Sequence, residues 1–150
     1  MSHLPINHPL RPLYRALAVL TGLFVLVFGI VGYFTTKSDA LFEQDQVERV
    51  FGLRTNLAFA LLSIVAGILL LVATAIGRNV DKWAYLLGSI VFLAVGMIAL
   101  GLLRTDLNFL AFSMSNVVVS FIIGMVLFAA AMYGKSGSAE EAEAEEAFRH

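Results

Sequence analysis

Four apolar runs, at about 14–34, 57–76, 84–103 and 109–133, constrain the fold of this chain more than any other feature. Each is long enough to cross a bilayer core, which takes roughly 20 helical residues. Backbone groups in hydrocarbon must find partners within the protein, so continuous runs of this length read as helices. Barrel strands would need short alternating segments, which are missing. None of the runs carries Asp, Glu, Lys or Arg between its terminal turns, apart from Arg15 in the first turn of the first. With 59% hydrophobic and only 14% charged residues, the chain falls outside the soluble range. The expected fold class is an all-α membrane protein, a four-transmembrane-helix bundle. A segment 1–13 precedes the bundle, a loop 35–56 joins its first two spans, and an acidic tail 134–150 follows.

Four spans put both termini on one side. Arg11, Arg15, Arg78, Lys82, Lys135 and Arg149 share that side, against Lys37, Arg49, Arg54 and Arg104 on the other. Cationic residues close to span ends favour the cytoplasm, so a multi-pass cell-membrane protein with cytoplasmic termini is expected. Ser38-Asp39-Ala40 has the look of a signal cleavage site, but the preceding apolar run is too long for a signal peptide. With no cysteine, disulfides and thiolate chemistry are excluded.

The heptapeptide Leu53-Arg54-Thr55-Asn56-Leu57-Ala58-Phe59 recurs as Leu103-Arg104-Thr105-Asp106-Leu107-Asn108-Phe109. Gly29 and Gly96 follow Arg15 and Lys82 at equal distance, and Ser63-x-x-x-Gly67 matches Ser120-x-x-x-Gly124. These matches predict two tandem parallel helical hairpins, with an insertion from Leu110 to Asn116 in the second. Small residues four apart, including Ala18 and Gly22, let helices approach closely in lipid. That packing role is expected of them rather than the lining of a conduit.

Asn56 and Asp106 are N-cap residue types, expected to open the second and fourth spans. Arg54 and Arg104 oppose the helix dipole there, so they read as interfacial anchors. The sharper expectation is an outer-face site in which Arg54, Arg104 and Asp106 meet a lipid phosphate or a partner's carboxylate. Ser113, Asn116 and Ser120 share one face of the fourth span and form a candidate intramembrane polar face. Asn116 is expected to bond across to another helix.

Leu41, Phe42, Val47, Val50 and Phe51 give the loop after the first span a wide apolar side, which suggests either a short interfacial helix or a partner-docking loop. Trp83, Tyr85, Tyr14 and Tyr133 read as aromatic-belt anchors. Prolines keep the amino-terminal segment extended, and His3 with His8 lacks a third metal ligand. The Glu-Ala tail reads as a solvated, partly helical or disordered extension. Catalytic and phosphate-loop motifs are missing, as is any basic patch for nucleic acid.

The segments Asn7–Arg15, Phe28-Gly29-Ile30-Val31-Gly32 and Ser63-Ile64-Val65-Ala66-Gly67 together resemble a four-span actinobacterial membrane-protein family of unknown function. The resemblance covers about 7–134. It implies the fold and the membrane location but no activity.

The expected function is therefore that of a non-catalytic integral membrane protein without cofactor or metal. It would serve as an accessory or scaffold subunit, with the bilayer and either a membrane-protein partner or a second copy as its contacts. A passive pore or small-solute transporter lined by Ser113, Asn116 and Ser120 is the alternative, and a lipid-headgroup enzyme has the least support.

Overall fold

The computed structural model describes residues 5–148; His3 and Arg149 lie outside them. Four long apolar helices, α1 (Arg11–Thr36), α2 (Leu57–Ile76), α3 (Val80–Leu102) and α4 (Met114–Tyr133), are each capable of spanning a membrane. Two short strands, β1 (Glu48–Val50) and β2 (Leu53–Thr55), lie between α1 and α2, and α5 (Ala139–Phe148) follows α4.

Residue size is arranged opposite to that of a soluble core. Ala60, Ala130 and Ala131 are fully buried, whereas Leu69, Leu87, Met97 and Ile98 are more than 60% exposed. An apolar exterior of this extent is stable only against lipid. The helices meet through small residues instead, as expected where lipid provides no hydrophobic drive to associate. On α1 and α2, Leu26 and Gly29 face Gly67 and Ile64; a Cβ on Gly29 would lie 2.6 Å from the Ile64 backbone nitrogen. On α3 and α4, Leu93 and Gly96 face Gly124 and Phe121 in the same spacing. These contacts make α1 antiparallel to α2, and α3 antiparallel to α4. Ser89 lies seven residues before Gly96, as Gly22 does before Gly29. Its hydroxyl is the one buried side-chain polar atom without a partner among the described residues, so its small size accounts for it better than its polarity.

One end of the bundle, the terminal end, carries the start of α1, the α2–α3 turn and the end of α4. The other carries the long loops and the strands. Here the structure departs from the expected interfacial helix. Phe51 and Gly52 both have positive φ, +52° and +81°, and form a two-residue turn joining antiparallel strands with Arg49 opposite Arg54 and Val50 opposite Leu53. That backbone matches strand twist in a tight hairpin. Val50 and Leu53 pack against Phe28, Phe59 and Val119 and plug the hairpin end of the bundle, whereas Leu41, Phe42 and Phe51 of the expected apolar side stay exposed.

The fourth helix also starts later than its apolar run. Asn108 closes a turn on itself: its amide donates to the Phe112 carbonyl (2.8 Å) and accepts the Phe112 N–H (2.9 Å). Ala111 adopts φ +57° inside that turn, and helix begins only at Met114.

Candidate functional site

At the hairpin end, Asn56 caps α2 as expected, accepting the Phe59 N–H at 3.0 Å. Its amide nitrogen also reaches the carbonyls of Phe109 (2.8 Å) and Glu43 (3.2 Å), pinning the two long loops together. The second heptapeptide copy plays no such part. Asp106 is exposed and caps nothing; the cap of α4 is Ser113, seven residues on. Asn108 stands where the first copy has Ala58, and the turn it closes holds the chain out of helix. Arg104 is exposed and makes no side-chain bond among the described residues, while Arg54 belongs to β2. The structure pairs Arg54 with Arg49, not with Arg104 or Asp106.

Ser113 and Asn116 form a capping box at the mouth of α4 rather than a mid-span polar face. Ser113 Oγ donates to Asn116 Oδ1 at 2.6 Å. Asn116 bonds across the bundle as expected, but its partner is a strand. Oδ1 accepts the Arg54 N–H (3.0 Å) and Nδ2 donates to the Arg54 carbonyl (2.8 Å). A carboxamide carries the same donor and acceptor as a peptide unit, so Asn116 serves as a surrogate neighbouring strand for β2. Beneath it, Ser63, Asn116 and Ser120 line a cavity of about 30 Å³ together with Phe28, Leu53 and Phe59. That is room for roughly one water.

Glu43 organises the preceding loop, accepting the N–H groups of Asp45 (2.8 Å), Gln44 (3.1 Å) and Gln46 (3.3 Å). The bonds from Asp45 and Gln46 lead in holding its carboxyl below the usual glutamate range.

The terminal end holds a cluster the sequence reading missed. Asp81, in the first turn of α3, is fully buried and pairs with Arg11 (3.4 Å) and Arg15 (3.3 Å) of α1. Those are the only ion pairs among the described residues. Arg11 Nε donates to the Gly134 carbonyl after α4 (3.0 Å), and Arg15 Nη2 to the Thr74 carbonyl of α2 (2.6 Å). One carboxylate thus links all four helices. The Thr74 hydroxyl donates to the Leu70 carbonyl (2.7 Å), which leaves Tyr85 to donate to Thr74 Oγ1 (2.6 Å). Tyr85 is therefore a core residue and not the belt anchor expected of it, whereas Trp83 is exposed as a belt residue should be. Tyr14 and Tyr133 stack on each other at 4.7 Å. The signal for this cluster was Arg11 and Arg15, one helical turn apart, with a single acid, Asp81, in the short connection between the second and third apolar runs at the same end.

The tail is strapped to this end. Asn79 exchanges two bonds with Ser136 (2.9 and 2.8 Å), and Asn7 two with Gly137 (2.9 and 3.2 Å). Ser138 and Glu141 then bond reciprocally to open α5.

No curated protein and no solved structure matches this chain significantly. A family model described as "Domain of unknown function (DUF4383)" matches residues 15–133, which takes in the hairpin, α2, α3, α4 and all but the first turn of α1, and from the terminal cluster Arg15, Thr74, Asp81 and Tyr85. The chain belongs to that family.

Proposed function

We propose that the chain is a non-catalytic accessory or scaffold subunit of the cell membrane, with cytoplasmic termini, working with a membrane-protein partner or a second copy. The observation that carries this reading is an apolar cleft along the seam of α2 and α3. Its two parts, of about 290 and 390 Å³, share Ala66, Leu69, Val91 and Phe92. A cleft lined by small and large apolar side chains suits the ridge of another helix. The asparagines and the Asp81 cluster, meanwhile, are engaged in holding the chain's own segments together. Matching glycine locks in the α1–α2 and α3–α4 pairs support a tandem duplication as the origin of the bundle. The duplication is then read from Gly29, Gly67, Gly96 and Gly124, not from the heptapeptide.

Native mass spectrometry in mild detergent tests the proposal. A stable stoichiometric complex is expected, weakened by Ala84→Phe, which fills the cleft. A solitary monomer at every concentration, or assembly indifferent to that substitution, overturns it.

A passive pore has one observation in its favour, the polar cavity beneath Asn116. Its size of about 30 Å³ and its mostly apolar lining argue against passage. Reconstituted vesicles containing the protein are expected to leak small solutes no faster than empty ones.

A further inference from the structure

We propose that Arg49 and Arg54 together hold the phosphate of a phospholipid at the hairpin end, with Phe51 seated among that lipid's acyl chains. The argument starts from register. Arg49 and Arg54 are direct cross-strand partners, and the neighbouring pair, Val50 and Leu53, is buried in the bundle. Side chains alternate along a strand, so both arginines share the opposite, outward face. A two-residue turn makes Val50 and Leu53 the hydrogen-bonded pair. Arg49 and Arg54 are then the non-hydrogen-bonded pair, whose Cα atoms approach to about 4.5 Å.

Two like charges so placed repel each other and weaken a hairpin. No carboxylate relieves them, since the only ion pairs among the described residues belong to Asp81. Arg54 Nη2 donates to the Gln44 carbonyl at 3.3 Å, and Arg49 makes no side-chain bond among the described residues. The remaining guanidinium donors have no protein acceptor among the described residues. Two adjacent planar forks are suited to the oxygens of one phosphodiester.

Depth identifies the source of that phosphate. The Phe51 ring lies 6.2 Å from that of Phe24, about three helical turns inside the end of α1 at Thr36. The hairpin therefore runs down beside α1, and its tip lies where acyl chains surround the bundle. Phe51 is 62% exposed there and holds φ +52°, a conformation poorly suited to a bulky residue. An asparagine or glycine would fit the turn better, and a ring contact with lipid gives a reason for the phenylalanine. Arg49 and Arg54 lie two residues above that tip, on the way to the end of the bundle, and their long side chains can snorkel up to the headgroups. Asn116 holds the Arg54 backbone, so half of the site is fixed before a lipid arrives.

The full chain, purified and delipidated in detergent, is titrated with phosphatidylglycerol and separately with inorganic phosphate, with binding read by native mass spectrometry. One tightly held phosphatidylglycerol is expected. Affinity should fall at least tenfold in the Arg49→Gln/Arg54→Gln double variant and less than twofold in Arg104→Gln. An Arg49→Lys/Arg54→Lys variant, which keeps the charge and loses the forks, should fall between the two. The double glutamine variant should unfold at an equal or higher temperature without lipid, because the repulsion is gone. Unchanged lipid binding by that variant, or an equal loss in Arg104→Gln, overturns the site. Inorganic phosphate held as tightly as the lipid overturns the lipid assignment.

Discussion

All five asparagines of the chain give their side-chain amides to a backbone segment, and four of them pair with both the N–H and the carbonyl of a single residue. The reason lies in where these segments run. Strands and turns near lipid cannot leave backbone groups to an uncertain supply of water. Asn116 is among the most buried, 2% exposed, and among the described residues it is the only partner of the outward edge of β2 at Arg54. Asn116→Leu leaves an N–H and a carbonyl unpaired and should cost about 2–4 kcal/mol, at roughly 1–2 per group. Ser120, which makes no side-chain bond among the described residues, should tolerate alanine within about 0.5 kcal/mol. Thermal unfolding in detergent measures both, and equal losses would refute the surrogate-strand reading. The sequence marked Asn116 as a buried polar residue needing a partner. It could not name that partner, because helical periodicity assigns faces within an element and carries no information about a hairpin arriving from a loop.

Elements were legible in proportion to their apolar length. The expected limits of the second span, 57–76, coincide with α2, and α1 and α3 differ from expectation by a few residues. A run of 20 apolar residues has only one economical conformation in lipid, so little else could intervene. The hairpin was illegible for the opposite reason. Its strands have three residues each, and its turn uses Phe-Gly where Asn-Gly would have announced it. Likewise, the heptapeptide match suggested equivalent helix starts, whereas the locks between helices, set by glycine positions, make Ser113 rather than Asp106 the counterpart of Asn56. The locks make a prediction at this scale. In Gly29→Ala the new methyl meets backbone at 2.6 Å from Ile64 and 2.8 Å from Ala60, so α1 and α2 must separate. A loss of about 1–3 kcal/mol is expected. Gly101, with nothing within 4 Å, is the control. Gly101→Ala should gain about 0.5–1 kcal/mol from helix propensity alone. Chemical unfolding that gave both variants the same sign would show that the lock is loose.

Over the whole molecule the two ends are held by different physics. The hairpin end is joined by amide-to-backbone bonds between loops, and the terminal end by one carboxylate set between two arginines. Asp81 was invisible in the sequence because a single acid in a short turn resembles a solvated surface residue. Its burial depends on α1, α2 and α4 meeting around it. Removing one member of a buried ion pair costs about 3–5 kcal/mol, largely because the other charge is stranded. The arginine side chains here are 20% and 33% exposed, so they can turn toward water, whereas the Asp81 side chain is 0% exposed. The losses should therefore be unequal. Either Arg11→Gln or Arg15→Gln alone leaves a cation on the carboxylate and should cost about 1–2 kcal/mol. Asp81→Ala, which frees two arginines that can reach headgroups, should cost about 2–3 kcal/mol. The double arginine variant strands a fully buried charge and should be the least stable of all, near the upper end of that 3–5 kcal/mol range. Thermal unfolding of the four proteins in one detergent gives the order. If the double variant proved no worse than Asp81→Ala, the carboxylate would have found water, and the terminal end would be held by its backbone straps and stacked tyrosines instead.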